Sequence, residues 1–84
     1  MSRIRKIVEK ILEGRSDQNI AFDDMCHVLD RAGFSSRRSG GSHRVFYKDG
    51  VAEIINVQPK GKLAKAYQVK QVRDLLVRYK IEVK

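Results

Sequence analysis

The 84 residues are expected to form an α+β domain. Its sheet is antiparallel and three-stranded, with helices packed on one face in the order α-α-β-β-β-α. Three observations lead there. Two amphipathic stripes at helical spacing open the chain, three short glycine-punctuated segments rich in β-branched and aromatic residues follow, and a further helical stripe closes it.

The first helix reads over residues 2–13, because Ile4, Ile7, Val8, Ile11 and Leu12 share one helical face. Gly14 suits its stop, and Arg15-Ser16-Asp17-Gln18-Asn19 reads as a polar loop. A second helix is expected over about residues 23–32, capped by Asp23, with Met25, Cys26, Leu29 and Ala32 on its buried side. Gly33 fits the left-handed position beyond its end, from which Phe34 folds back on Leu29. Residues 34–39, 42–48 and 51–58 read as strands. Gly40-Gly41 joins the first pair in a tight hairpin, and Asp49-Gly50 marks the next turn. Pro59 is expected to end the third strand, since it donates nothing to a ladder. Residues 60–65 read as a basic loop. The last helix runs from about Ala66 to Tyr79, with Val69, Val72, Leu76 and Tyr79 at helical spacing, Leu75 beside them, and Lys70, Arg73 and Arg78 pointing elsewhere.

Composition narrows the function classes. At 42% hydrophobic residues the chain can build one small core, so residues 1–84 are expected to form a single domain. No apolar stretch approaches the roughly 20 residues of a membrane span. The opening Met1-Ser2-Arg3-Ile4-Arg5-Lys6 lacks the apolar run of a secretory signal. The single cysteine forms no internal disulfide and is too few for a cysteine zinc site. These features fit a reduced, cytoplasmic protein without a membrane partner.

The net charge of +8 is unevenly placed. Residues 1–33 carry six basic and six acidic side chains, residues 34–57 four and two, and residues 58–84 eight and two. One electropositive surface in the C-terminal half attracts polyanions, nucleic acid foremost.

The most unusual local feature is Gly40-Gly41-Ser42-His43-Arg44. It sets a histidine at the start of a strand beside a glycine turn, with Arg37 and Arg38 on the partner strand. Alternation places His43, Val45 and Tyr47 on the open face and Phe46 on the helix-covered one. Glycine lets a phosphate approach the backbone. Imidazole, with an ordinary pKa near 6.5, takes and gives protons around neutrality. Histidine beside arginines supplies two parts of RNA cleavage: a proton mover, and fixed positive charge for the phosphorus-centred transition state. The bland alternative is a polar strand residue. Other candidates are weaker. A serine-hydrolase elbow needs glycine where Arg44 stands. No paired carboxylates stand with a histidine at metal spacing, so no metal and no small-molecule cofactor is expected. His27 falls between core positions on the second helix and reads as solvated, while Cys26 reads as a small core residue.

With these residues in view, the chain resembles the HicA family of toxins from toxin–antitoxin pairs. The resemblance is carried by Phe22-Asp23-Asp24, Leu29, Gly33-Phe34 and Gly41-Ser42-His43 before Val45-Phe46. It continues through Asn56-Val57-Gln58-Pro59 and Ala64-Lys65-Ala66-Tyr67-Gln68-Val69-Lys70-Gln71-Val72. It spans about residues 20 to 76, within a family-like core of 20–80 that leaves the helix at 2–13 outside. It implies a fold similar to the double-stranded RNA-binding domain. It also implies metal-independent cleavage of mRNA, a HicB-like antitoxin partner, and a catalytic histidine at His43. Many relatives carry a second histidine where Arg44 stands, some carry one where Lys60 stands, and close ones often have proline at Ala66. Only one imidazole stands here.

The expected site therefore comprises His43 as general acid/base, and Gly41 and Ser42 shaping the phosphate position. Arg37, Arg38 and Arg44 hold RNA phosphates, and Lys60, Lys62 and Lys65 extend the track. Single-stranded mRNA fits best, because a 2′-hydroxyl must swing into line with the scissile bond. The alternatives are a non-catalytic RNA-binding module of similar fold and a protein whose basic face binds an acidic partner.

Overall fold

The computed structural model describes residues 3–38, 40, 41 and 43–84. Its first helix, α1 (Arg3–Glu13), buries Ile7, Val8 and Ile11 against α2 and α3. Ser2, the expected first residue, lies outside the described residues. Leu12 does not join the buried stripe: it stands on the shoulder of the helix and is 45% exposed. Within the expected polar loop, Asp17–Asn19 form a 3₁₀ turn.

α2 spans Phe22–Arg31 and begins one residue earlier than expected. Asp23 is not its cap: Ala21 holds that position, and Asp23 adds negative charge to the first turn instead. The Phe22 N–H, one of the donors left without an intrahelical partner at the helix start, donates to the Lys62 carbonyl at 3.0 Å. The far end closes as foreseen. Gly33 adopts φ 94°, its N–H donates to Asp30 at 3.1 Å, and the Phe34 N–H donates to Leu29 at 3.1 Å.

The sheet is antiparallel, in the order β1 (Ser35–Arg38), β2 (Arg44–Tyr47), β3 (Ile55–Val57). Its register sets Phe46 opposite Ser36 and Ile55, and Val45 opposite Arg37 and Asn56. Phe46 and Ile55 are fully buried beneath the helices. The third strand is shorter than the expected 51–58. Val51–Ile54 are irregular, and Ile54 is exposed.

The basic stretch at 60–65 is not a loop. Pro59–Lys60 (β4) and Leu63–Ala64 (β5) form a small hairpin. Gly61, at φ 63°, is the first of its two turn residues, where hairpin twist calls for positive φ. Pro59 interrupts the ladder only locally and then opens β4. The hairpin docks before α2 through the Ala64 N–H, which donates to Ile20 at 2.8 Å, and through the Phe22–Lys62 bond.

α3 (Ala66–Arg78) buries Gln68, Val69, Val72, Leu75 and Leu76. Arg73, expected to point away, reaches the Ile11 carbonyl at 3.1 Å and grips both Asp17 carboxylate oxygens at 2.9 and 3.2 Å. It thereby satisfies a carbonyl at the end of α1 and ties that end to α3.

At the other end of α3, the Tyr79 hydroxyl donates to the Glu53 carboxylate at 2.6 Å, and Arg78 bonds the same carboxylate. The tyrosine bond first, and then a backbone bond and Arg78, hold Glu53 below its ordinary value against the opposing effect of burial. A carboxylate depressed in the folded state stabilises above its unfolded pKa. That contribution fades as pH falls through the folded value. Acid melts below about pH 4 should therefore lose less stability in Glu53→Gln than in wild type. Parallel curves would refute the link.

Candidate active site

His43 sits one residue before β2, in the connection rather than in a strand. Gly40 and Gly41 lie in the same connection, between β1 and β2. Gly40 and Gly41 adopt φ of 107° and 54°, which favour glycine, and the His43 N–H donates to the Gly40 carbonyl at 3.0 Å. This turn carries His43 out of the ladder. A side chain built at Gly41 would meet nothing within 4 Å, so the backbone there faces open space. Ser42 and Ser39 lie outside the described residues.

His43 is exposed and lines a cleft of about 310 Å³ with Asn56, Val57, Gln58, Tyr67 and Gln68. Gln68 fixes the geometry of this cleft. It is 2% exposed, and its side-chain amide donates to the Asn56 carbonyl at 2.7 Å. Its oxygen accepts the Gln58 N–H at 3.3 Å. The buried amide is thus satisfied by the border of β3, clamping α3 beside His43.

The cations do not ring the histidine. Arg38, Gly41, Arg44 and Lys62 line a separate cleft of about 700 Å³ that also includes Asp23 at the start of α2. The register sets Arg38 directly opposite Arg44. Like charges facing across strands destabilise a sheet. Among the described residues none of Arg37, Arg38, Arg44, Lys60, Lys62 or Lys65 forms an ion pair. An anion seated in this cleft would relieve the repulsion. Arg44 is anchored from within: it lies 5.9 Å from the Phe46 ring centroid. Hydrogen bonding to the Cys26 sulfur raises its pKa above the ordinary value.

Lys60 and Lys65 line a third cleft, of about 800 Å³, with Leu63 and Tyr67. Arg37 lines none of these clefts and is exposed on β1 opposite Val45. The Gly41–His43 turn therefore stands between the arginine cleft and the histidine cleft, and Tyr67 stands between the histidine cleft and the lysine cleft.

His27 is exposed and Cys26 is buried. Burial pushes the Cys26 thiol up, with Arg44 partly opposing, which keeps it protonated and a poor nucleophile. Among the described residues no three His, Cys, Asp or Glu side chains gather as a metal site, and no helix is long and apolar enough to cross a membrane.

Sequence reasoning nominated His43 but missed Asn56, Gln58, Tyr67 and Gln68 as its neighbours. Gln68 carried a readable signal: it is polar yet falls on the apolar stripe of its helix with Val72, Leu75, Leu76 and Tyr79.

Comparison with known proteins supplies one match. Residues 22–76, well over half of the chain, fit the family model described as the HicA toxin of bacterial toxin–antitoxin. Comparisons with curated proteins and with solved structures gave no match.

Proposed function

Because this chain belongs to the HicA toxins of bacterial toxin–antitoxin systems, we propose that it is an endoribonuclease that cleaves mRNA, with His43 as its general acid/base. The observation carrying this reading is the exposed imidazole on a glycine turn, with Arg38, Arg44 and Lys62 across that turn.

In the proposed reaction the RNA 2′-hydroxyl attacks the adjacent phosphorus and loses its proton. The P–O5′ bond breaks, the leaving O5′ gains a proton, and a 2′,3′-cyclic phosphate remains. His43 moves the proton at one of these two oxygens, and water serves the other. The open backbone at Gly41 gives the phosphate room. The arginine cleft holds a neighbouring phosphate and stabilises charge on the chain as it reacts. Lys60 and Lys65 take phosphates further along. Ser42 is proposed to shape the phosphate position beside Gly41, and Arg37 to contribute long-range attraction. The reaction is proposed to need no metal and to take place in the cytoplasm, where mRNA is.

Toxins of this family pair with an antitoxin. An acidic antitoxin of the HicB type would cover the same cationic clefts and exclude RNA.

The test is incubation of purified protein with a long mRNA in EDTA, with product ends mapped. Discrete internal cuts ending in cyclic phosphate are expected. RNA binding without cleavage would favour a non-catalytic RNA-binding module. Charge can be tested separately. Arg38→Ala and Lys62→Ala should each lower the slope of log affinity against log salt by roughly 0.7, the value for one single-strand phosphate contact. Unchanged slopes would remove the arginine cleft from the RNA path.

A further inference from the structure

Tyr67 is a large aromatic side chain with 63% of its surface exposed, at the first turn of α3. Single exposed apolar residues are ordinary, but the position of this one is not. It lines the histidine cleft together with Asn56 and Gln58, and the lysine cleft together with Lys60, Leu63 and Lys65. Its hydroxyl end also lies near the buried Gln68 amide. The Tyr67 hydroxyl lies 3.5 Å from the Gln68 side-chain nitrogen, and Gln68 is locked to β3. Exposed Leu63, 40% accessible, extends the apolar surface next to it.

We propose that Tyr67 is a base-stacking platform that holds one unpaired base of a single-stranded RNA beside the bond presented to His43. This rests on RNA being the substrate. An exposed aromatic face between a proton-moving side chain and two lysines matches the parts of single-strand recognition: stacking for the base, cations for its flanking phosphates. A base paired within a duplex has both faces covered by its neighbours and cannot lie on the ring. Tyr67 therefore selects single strands over duplexes. Stacking tolerates any base, so this residue positions the strand without imposing a sequence.

The test measures binding in a His43→Ala background, where RNA survives. The probes are a short fluorescein-labelled oligouridylate and inorganic polyphosphate as a base-free polyanion. Tyr67→Ala should weaken oligouridylate binding by roughly fivefold to a hundredfold and leave polyphosphate binding unchanged. Tyr67→Phe and Tyr67→Trp should restore it. Undiminished oligouridylate binding by a folded Tyr67→Ala protein overturns the proposal. An equal loss for both probes, or no rescue by phenylalanine and tryptophan, overturns it too, since either would mark a structural role. Cleavage is scored separately with His43 intact. A protein that never cuts RNA but shows the Tyr67 pattern retains the platform and loses the nuclease reading.

Discussion

His43→Ala is expected to abolish mRNA cleavage while leaving the fold and RNA affinity close to wild type. A positioned acid/base contributes about 10²–10⁴ in rate. His43 is the one imidazole among the residues lining its cleft, so no second histidine there backs it up. The loss should therefore fall at the upper end of that range, to background in a gel assay. The fold should tolerate the change, because His43 is exposed and outside the hydrophobic core. Surface substitutions of this kind usually stay within about 0.5 kcal/mol. Affinity should persist because the cations lie in neighbouring clefts, not on the imidazole. Matched melting curves and titrations would establish that only chemistry was lost. An alanine variant that still cuts at the same sites would end the assignment of His43.

The largest stability effect is expected at Phe46. It is fully buried in the middle strand, flanked by Ser36 and Ile55, with Arg44 over its ring. Phe46→Ala leaves a void between sheet and helices and should cost about 3–5 kcal/mol. Small domains hold only about 5–15 kcal/mol in total. The thermal midpoint should drop by roughly 20 °C, read by circular dichroism, and the arginine cleft should loosen because Arg44 loses its ring. Phe46→Leu, which keeps most of the volume, should recover most of the loss. A Phe46→Ala midpoint near wild type would mean that the sheet does not pack through this residue.

The helices were legible because a stripe such as Ile7, Val8 and Ile11 has one physical use. The ending of α2 was legible down to its bonds, since glycine followed by phenylalanine fits few other geometries. The β4–β5 hairpin was not. Pro59 reads as a stop in any ladder, and only the docking of Ala64 and Lys62 onto the segment before α2 shows that two-residue strands form around it. That docking also explains why Asp23 does not cap α2. The site was legible as residue types and not as an arrangement. The glycine turn marked His43, but a turn has two sides. Which side faces Arg38 and Arg44 depends on where the hairpin brings Lys62, and that contact is distant in sequence.

The clamp made by Gln68 also changes what the sheet offers to another strand. A sheet usually has two borders, and each can recruit a strand from another chain. Here an amide side chain occupies the Asn56 carbonyl and the Gln58 N–H, two of the groups a partner strand would pair with at that border. The other border of this sheet, at Ser35–Arg38, carries two arginines, whose like charges oppose pairing with an identical copy. The three-stranded sheet therefore offers a poor template for another strand at either border: one is capped by an amide, the other guarded by charge.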